Sequence, residues 1–355
     1  MSEAEPRLLI LRLSSLGDIL HTLPAAATLR ASFPQARLDW VVEDRWKDLL
    51  ELNPDVTNVI PVSTKAWRAA LNQSGTWREV RRAVAALRDA RYDAALDFQG
   101  LMKSALLARL SGARQRIGFD ADAAKESAAA MFYTLHVRPP AGAHVVEMNL
   151  ALARAAGAEK QVVKFPLLTR PEDEAYIEEQ LRAQQVNDFF ILSPGGGWGS
   201  KRWPLERYAQ LHNALARERG WRSFLNTGPG EEALVEEFMR EARVVKPAHF
   251  PLTLRQLVAL VKRARLLVSG DSGPLHIAAA VGTPLVALFG PTDPLRNGPY
   301  GGRSVVIHHC EQAVISYKHE DTPSAAMLAI TVEEVLAAIR RVLAPPSAGL
   351  EEARG

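Results

Sequence analysis

The sequence predicts an α/β protein built from two doubly wound domains. Its 355 residues are too many for one ordinary core and suit two domains of roughly 150 to 200 residues each. Apolar runs of strand length alternate with helical patterns, which predicts parallel sheets joined by crossover helices. The alternation starts afresh after 165–171, where two prolines bracket a short stretch that we expect to be an extended linker. We expect the two domains to face one another across a central cleft.

The first domain is expected to cover residues 1–166. It opens with the apolar run 8–13, followed by a Ser/Gly loop and a helix whose apolar residues recur at helical spacing. Further strands are predicted at 38–42, 59–62 and 94–98, and further helices at 77–89, 101–110 and 145–156.

The second domain is expected to cover residues 167–330 and to repeat the alternation. Strands are predicted at 189–192, 223–226, 266–269 and 285–289, and helices at 205–217, 231–240, 254–262 and 274–281. The segment 331–344 is expected to form a last helix that packs back on the first domain. The tail 345–355 is rich in proline, glycine and charge, and we expect it to be disordered.

Composition indicates a globular protein of a reducing compartment. The chain is 47% hydrophobic and 23% charged, which excludes disordered and collagen-like classes. Cys310 is the sole cysteine, so a disulfide framework and a cysteine-based metal cluster are both excluded. The sequence shows neither a signal peptide nor an apolar run of the roughly 20 residues that a membrane span needs. The expected location is the cytoplasm.

The net charge of +3 is too small to argue for nucleic acid, and we expect no nucleic-acid partner. Its distribution is more informative. Residues 1–166 hold 22 Lys and Arg against 18 Asp and Glu, whereas 167–355 hold 21 against 22. The basic first domain therefore favours an anionic partner, such as a phosphorylated ligand or an acidic membrane face.

Loops that follow parallel strands are where ligands gather, and the first such loop is 14–18, with the sequence SSLGD. Asp18 lies at the start of a helix, where the helix dipole keeps a carboxylate ionised and able to accept a proton. His21 lies one turn further on. The alternative is that Asp18 only caps the helix.

Two loops of the second domain suit a diphosphate. In 271–276 (DSGPLH), a cap residue, Gly273 and a proline in the first turn leave backbone amides accessible to a ligand, although a well-capped structural helix has the same pattern. In 193–204, glycines permit close backbone approach, while Lys201 and Arg202 supply cationic donors. A surface loop with solvated charges is the alternative there.

Weaker signals lie elsewhere. The segment 228–233 (GPGEEA) fits a dinucleotide-binding pattern, but it follows the second strand of its domain and lacks the acidic residue expected about 20 positions later. The motif at 120–122 imitates the D-x-D of metal-dependent sugar transferases. The run 308–310 (HHC) contains metal-ligand types without a second cluster. The segment 97–103 places polar groups at the end of the fourth strand, where they bind either a ligand or the local turn.

Five motifs in order resemble glycosyltransferase family 9, the ADP-heptose transferases that build the inner core of lipopolysaccharide. They are 14–24 (SSLGDILHTLP), 97–100 (DFQG), 201–204 (KRWP), 271–276 (DSGPLH) and 289–294 (FGPTDP). Segments 39–43, 99–104 and 290–294 look most like the heptosyltransferase I branch, which adds the first heptose to a Kdo sugar.

The resemblance implies a GT-B fold of two Rossmann-like domains, with the acceptor on the first and the nucleotide sugar on the second. The donor would be ADP-L-glycero-D-manno-heptose, and the acceptor Kdo2-lipid A or a related inner-core acceptor. It implies inverting chemistry with no metal or other cofactor. The enzyme would be cytoplasmic and peripheral to the inner membrane, whose anionic surface would be a further partner.

The resemblance also implies roles for individual residues, with Asp18 as the catalytic base. The donor-binding residues would be Ser193, Lys201, Glu231, Glu232, Leu252, Thr253, Asp271, Ser272, Gly273 and His276. The acceptor-binding residues would be Ser15, Gly17, His21, Lys65, Arg68, Gln99, Lys103 and Lys125. Two segments depart from the pattern of the branch, since 65–69 carries fewer cations and Ser272 stands where a threonine-containing loop is usual.

Several alternatives stay open at this point. Another family 9 transferase, either heptosyltransferase II-like or specific for a different acceptor, shares most of the motifs. A GT-B-like sugar-nucleotide epimerase needs no acceptor surface. A nicotinamide oxidoreductase depends on the pattern at 228–233, and a non-catalytic nucleotide-binding protein would bind ADP without forming product.

Overall fold

The computed structural model describes residues 5–70, 72–309, 315 and 320–345. Two compact units make up the chain, Met1–Arg170 and Pro171–Gly355, so the boundary lies just after the predicted one. Cys310 and almost all of the predicted disordered tail lie outside the described residues.

In the residues that the structure describes, the first unit contains one sheet of six strands. The strands are β1 (Arg7–Leu11), β2 (Arg37–Glu43), β3 (Asn58–Val62), β4 (Ala94–Asp97), β5 (Gln115–Phe119) and β6 (Leu135–Val137). The helices are α1 (Leu16–Leu20), α2 (Leu23–Ser32), α3 (Lys47–Leu50), α4 (Thr64–Ala69), α5 (Ser74–Asp89), α6 (Met102–Leu110) and α7 (Val145–Ala155), with 3₁₀ helices at Asp44–Trp46 and Ser127–Phe132.

All strands of this sheet pair in parallel, in the order β3-β2-β1-β4-β5-β6. The winding direction therefore reverses between β1 and β4, as in doubly wound nucleotide-binding sheets. The four strands predicted for this unit are present. Strands β5 and β6 were not predicted, because they are short and carry polar residues in place of a long apolar run.

The core of the first unit explains the apolar run at 8–13. Leu9 and Leu11 of β1 pack in one cluster with Leu87 of α5 and Leu107 of α6. The alternate residues Leu8 and Ile10 are also buried. Since successive side chains of a strand point to opposite faces, β1 is covered on both sides, as expected for a parallel sheet.

The described part of the second unit contains one sheet of five strands. The strands are β7 (Phe189–Ser193), β8 (Arg222–Leu225), β9 (Leu267–Gly270), β10 (Leu285–Phe289) and β11 (Ser304–His308). The helices are α8 (Pro171–Ala183), α9 (Leu205–Arg219), α10 (Glu232–Glu241), α11 (Leu254–Arg263), α12 (Gly273–Val281), α13 (Pro294–Asn297), α14 (Ala325–Ala329) and α15 (Val332–Leu343), with a 3₁₀ helix at Gly199–Lys201.

This second sheet is also parallel, in the order β11-β10-β9-β7-β8, so its winding reverses between β7 and β9. Two doubly wound parallel α/β units are thus what the sequence predicted.

The extended linker predicted at 165–171 ends one residue early, because Pro171 is the first residue of α8. Proline is favoured at a first helical position, where its missing N–H would have had no partner.

The last helix completes the core of the second unit. Val335, Ile339 and Val342 of α15 are buried in one cluster with Leu211 of α9 and Leu288 of β10. The sequence-based expectation was that this helix packs back on the first domain, and the structure puts its buried face in the second core. None of the helices in the described part of the chain combines the length and apolar character that crossing a bilayer requires.

Candidate active site

Each unit has one place where ligands are favoured, the carboxyl edge of the sheet where the winding reverses. In the first unit the loops that follow β1 and β4 meet there, and they carry Asp18 and Gln99. In the second unit the loops that follow β7 and β9 meet there, and they carry Lys201 and Asp271. Four of the five resemblance motifs, 14–24, 97–100, 201–204 and 271–276, therefore lie at the reversal point of their own sheet, whereas 289–294 follows β10.

Asp18 lies in the first turn of α1 and does cap that helix. Its carboxylate accepts hydrogen bonds from the backbone amide and the hydroxyl of Ser15, both at 3.1 Å. It also pairs with two cations, Arg12 Nη2 at 2.5 Å and Lys125 Nζ at 3.2 Å. The side chain remains 19% exposed, so a ligand can reach it. Capping and a chemical role are therefore compatible.

The charge state of Asp18 follows from these partners. Burial acts to raise its pKa, but the charges of Arg12 and Lys125 and the Ser15 amide outweigh it and hold the pKa of this carboxyl well below its usual range. Asp18 is thus a carboxylate at every physiological pH, able to accept a hydrogen bond or a proton.

Arg12 is a site residue that the sequence analysis did not select. It is buried, and its guanidinium donates to the carbonyl of Phe98 as well as pairing with Asp18. The available signal was a charged residue inside the otherwise apolar run 8–13, because a fully buried arginine is rare unless it is paired.

Gln99 holds the loop that carries Asp18. Its side-chain oxygen accepts hydrogen bonds from the amides of Leu13 and Ser14, at 3.0 and 3.2 Å, and the residue is buried. Asp97 fixes Gln99 in turn by accepting from its backbone amide at 2.8 Å. This geometry favours a positioning role for Gln99 over the acceptor contact inferred from sequence.

The other predicted acceptor residues are spread along the same edge of the sheet. Lys103, at the start of α6, lies 3.7 Å from Glu43 and donates to Thr64 at 3.3 Å. Lys65 and Arg68 are exposed on α4.

Gly17 and His21 are buried, and the His21 ring packs edge-on against that of His144. Among the predicted acceptor residues, Ser15 and Lys125 contact Asp18 directly through hydrogen bonds.

The minor metal-site signals find other partners. Asp120 and Asp122 both pair with Arg138, at 2.6 and 2.5 Å. His308 contacts the carbonyl of Gly290, and Cys310 lies outside the described residues. Within the described parts of the chain, no group of three or more His, Cys, Asp or Glu side chains is arranged to hold a metal ion.

The second unit gathers two of the predicted donor residues, Lys201 and His276, around a third, Asp271. Lys201 Nζ pairs with Asp271 Oδ2 at 2.6 Å, and His276 Nε2 lies 3.3 Å from Oδ1. Thr292, which the sequence analysis did not select, donates to Oδ2 at 2.8 Å. The Lys201 ammonium also lies 4.4 Å from the centre of the Trp198 ring.

The charges of this cluster follow from its contacts. Burial acts to raise the pKa of Asp271, but its hydrogen bond with His276 and the charge of Lys201 outweigh it and keep the pKa of this carboxyl well below its usual range. Asp271 is therefore ionised and orients the Lys201 ammonium.

The backbone at this edge leaves room for a ligand and brings two loops together. Helix α12 begins at Gly273, with Ser272 as the residue before its first turn and Pro274 inside it. A side chain at Gly270 would lie 2.6 Å from the carbonyl oxygen of Lys201, so only glycine permits this approach of the β9 end to the Lys201 loop. The positive end of the α12 dipole suits an anion, although Pro274 has no N–H and the Leu275 amide donates to the Ser272 carbonyl at 3.2 Å.

Glu231 joins two glycine-rich loops. Its carboxylate accepts from the amide of Gly196 at 3.0 Å and from that of Gly228 at 2.7 Å. An amide of the dinucleotide-like segment 228–233 is thus already bonded to a carboxylate. The neighbouring Glu232 is exposed and accepts from Gly230.

Three predicted donor residues lie apart from the Asp271 cluster. The hydroxyl of Ser193 is buried and accepts from Asn226 at 3.0 Å. Thr253 caps α11 by a reciprocal pair of bonds with Gln256, and Leu252 precedes it with partial exposure. Among the residues that the structure describes, no hydrogen bond or ion pair links Ser193, Leu252 or Thr253 to Asp271.

Comparison with known proteins identifies relatives over nearly the whole chain. The family model described as Glycosyltransferase family 9 (heptosyltransferase) matches residues 80–325. Lipopolysaccharide heptosyltransferase 1 of Pseudomonas aeruginosa is 35% identical over 305 residues, which are 84% of this chain and 82% of that protein.

Solved structures agree with this match. The structure of E. coli heptosyltransferase WaaC with ADP superimposes with a TM-score of 0.74 at 28% identity, covering 95% of this chain and 99% of that one. A family 9 glycosyl transferase from Veillonella parvula has a TM-score of 0.81 at 23% identity, covering 97% and 98% of the two chains. At that identity the second likeness concerns the fold alone.

Proposed function

The chain belongs to glycosyltransferase family 9, the heptosyltransferases, and we propose that it moves heptose from ADP-L-glycero-D-manno-heptose to a Kdo sugar of the lipopolysaccharide inner core. It is a glycosyltransferase with the GT-B fold of its solved relatives. The observation that carries the proposal is an ionised, solvent-accessible carboxylate, Asp18, at the winding reversal of the first sheet in a relative of heptosyltransferase 1.

We propose that Asp18 acts as the general base of an inverting transfer. It would accept the proton of the acceptor hydroxyl while that oxygen attacks the anomeric carbon of the heptose. The bond between that carbon and the ADP oxygen breaks on the opposite face, and ADP departs with the bonding electrons. Base catalysis of this kind contributes on the order of 10² to 10⁴ in rate.

The proposed donor site is the Asp271 cluster of the second unit. Lys201, oriented by Asp271, would neutralise charge that develops on the departing diphosphate, and backbone N–H groups at the start of α12 would donate hydrogen bonds to the phosphate oxygens. Since the cation is supplied by a side chain, we propose that the reaction needs no metal. Turnover that is unchanged by EDTA is the expected result.

The proposed acceptor site is the carboxyl edge of the first sheet. Lys65, Arg68, Lys103 and Lys125 supply positive charge there, which suits the carboxylate and phosphate groups of Kdo2-lipid A. Because that acceptor is anchored in a bilayer, we propose that the enzyme works at the cytoplasmic face of the inner membrane as a peripheral protein.

One mass-spectrometric assay tests the substrates. The enzyme is offered ADP-heptose with Kdo2-lipid A, and in parallel with an acceptor that already carries one heptose. We expect product only from the first acceptor. Product only from the second would assign the chain to heptosyltransferase II-like enzymes. Absence of acceptor-dependent ADP release, with the ADP-sugar unchanged in mass, would favour an epimerase.

Asp18→Asn tests the base. The amide keeps the size of the side chain but cannot accept a proton, so we expect turnover to fall by roughly 10² to 10⁴. Calorimetry should show unchanged affinity for ADP, because the donor site belongs to the second unit. A variant that is folded by circular dichroism and keeps its turnover would remove Asp18 from this role.

A further inference from the structure

Two neighbouring helices of the first unit expose a basic and apolar face that the reaction does not use. Helices α5 and α6 pack against each other, and α6 packs in turn on the 3₁₀ helix Ser127–Phe132. Each of the three elements exposes a large apolar side chain. The exposed fractions are 48% for Trp77 on α5, 45% for Leu106 on α6 and 76% for Met131 on the 3₁₀ helix.

Arginines lie close in the helix to two of these apolar side chains, Trp77 and Leu106. On α5, Trp77 and Arg81 are four residues apart and therefore lie on one face, with Arg78 and Arg82 on the adjoining row. All four are exposed, and α5 fully buries only Thr76 and Leu87. On α6, Leu106 and Arg109 are three residues apart and are both exposed.

The charge of this region exceeds that of the whole chain. Residues 64–91 contain seven Lys and Arg against two Asp and Glu, whereas the full sequence has a net charge of +3. One of the two acids, Glu79, accepts a hydrogen bond from the Trp67 ring N–H. The positive potential is thus concentrated on α4 and α5 rather than spread over the first unit.

We propose that this α5–α6 face docks the enzyme on a bilayer that contains anionic lipids. Arg78, Arg81 and Arg82 would lie among the headgroups, while Trp77, Leu106 and Met131 would enter the boundary with the acyl chains. An anionic bilayer offers negative headgroups to the arginines and an apolar layer to the exposed apolar side chains. A nucleic acid would bind the arginines through its phosphates, but it offers no apolar layer for Leu106 and Met131.

The position of the face fits the proposed function, on which this inference partly rests. Helix α5 ends at Asp89, shortly before β4 begins at Ala94, so its C-terminus lies at the sheet edge opposite to the one that carries Asp18. Its first turn, which contains Trp77, therefore lies toward the edge that carries Asp18. Docking through this face would bring the carboxyl edge of the first sheet, which is the proposed acceptor site, to the membrane surface that holds a lipid-anchored acceptor.

Vesicle sedimentation tests the proposal with the intact chain. The vesicles are phosphatidylcholine alone or phosphatidylcholine mixed with phosphatidylglycerol, and they contain neither donor nor acceptor. Wild-type enzyme should bind only the anionic vesicles. The triple variant R78E/R81E/R82E should lose on the order of 10²-fold in partition coefficient, because each arginine near an anionic surface contributes roughly fivefold. Trp77→Ala should weaken the part of the binding that persists at high salt.

The matched control is R217E/R240E/R341E, which reverses three exposed arginines on helices α9, α10 and α15 of the second unit. It should bind as the wild type does, with the folding of all variants checked by circular dichroism. Absence of wild-type binding to anionic vesicles, or equal losses in the two triple variants, would overturn the proposal. Heptose transfer to an acceptor in detergent micelles is measured separately. Absence of transfer would contradict the proposed function, whereas the vesicle results test the docking proposal alone.

Discussion

Asp18 is held in a state in which it is a weak base. Base strength rises with pKa, and the pKa of this carboxyl is depressed by Arg12 and Lys125. Arg12 is buried and tied to the carbonyl of Phe98, so it is fixed. Lys125 is 42% exposed, and an anionic acceptor can draw it away. We therefore expect acceptor binding to raise the pKa of Asp18 and to strengthen the base.

Lys125→Ala tests this link. Removing one of the two cations removes a contribution that lowers the pKa of Asp18, so that pKa should rise. In the wild type, protonation of Asp18 in the free enzyme should not limit kcat/KM above about pH 4. In the variant, the acidic limb of the kcat/KM profile, which reports the free enzyme, should move to higher pH. The KM for the acceptor should rise by about tenfold, because one charged hydrogen bond is lost.

Lys47→Ala is the control for that experiment. Lys47 is 40% exposed, close to the value for Lys125, and it also pairs with an aspartate, Asp44. No contact with Asp18 is found for it among the described residues. An unchanged acidic limb in Lys125→Ala, or the same displacement in both variants, would contradict the proposed effect of Lys125.

At the scale of elements, the loop after β4 connects the pieces of the acceptor edge. The Phe98 carbonyl and Gln99 hold the loop that carries Asp18. The Gly100 carbonyl accepts from the amide of Glu126, which follows Lys125 in the chain. The base and its exposed cation are thus both anchored on one turn.

Gly100→Ala should disturb this turn. Gly100 has φ +66, and an added Cβ would lie 3.2 Å from the backbone nitrogen of Lys125. The positive φ costs an alanine roughly 1 to 2 kcal/mol. We expect that loss of stability, by chemical denaturation, together with a lower kcat, because the crowded backbone moves Lys125 relative to Asp18.

Gly142→Ala separates the two effects. Gly142 has φ +68 with nothing within 4 Å of an added Cβ, so it carries the same conformational cost without the contact. It should lose similar stability and keep its kcat. Equal kcat values in the two variants would show that the contact at Gly100 does not matter to the site.

At the scale of the molecule, each unit has its own core and its own part of the site. The second core, which includes Phe190, Trp203 and Ile339, consists of residues of the second unit. The Asp271 cluster likewise draws on that unit alone. Donor binding should therefore not depend on the first unit.

A fragment of residues 171–355 tests this independence. We expect it to fold cooperatively by circular dichroism and to bind ADP in calorimetry. Lys201→Ala in the same fragment should weaken that binding by about tenfold or more, because a charged hydrogen bond to phosphate is lost. A folded fragment without affinity for ADP, or an unfolded one, would contradict the expectation.

The sequence by itself determined the family, the α/β class and the loops of the site. The resemblance seen in five motifs is confirmed by the family match. Strands such as β1 and β10 were predictable because a buried parallel strand is an uninterrupted apolar run, a local property. For the same reason β5 and β6, with polar or very short sequences, were missed. Parallel strands also place the loops that follow them at one edge of the sheet. This rule allowed Asp18 and Asp271 to be predicted as site residues from the sequence.

Only the tertiary structure decided strand order and the partners of those carboxylates. Asp18 meets Lys125 from a loop 107 residues away, and Asp271 meets Lys201 from 70 residues away. No local pattern specifies such pairs, because they depend on which strands become neighbours when the sheet reverses its winding. The same long-range packing places Arg12 beside Asp18. It also lets the Gln99 side chain bind backbone amides of the loop that precedes Asp18. The sequence determines which chemical groups the protein contains, whereas the charge state and the neighbours of each group depend on the fold.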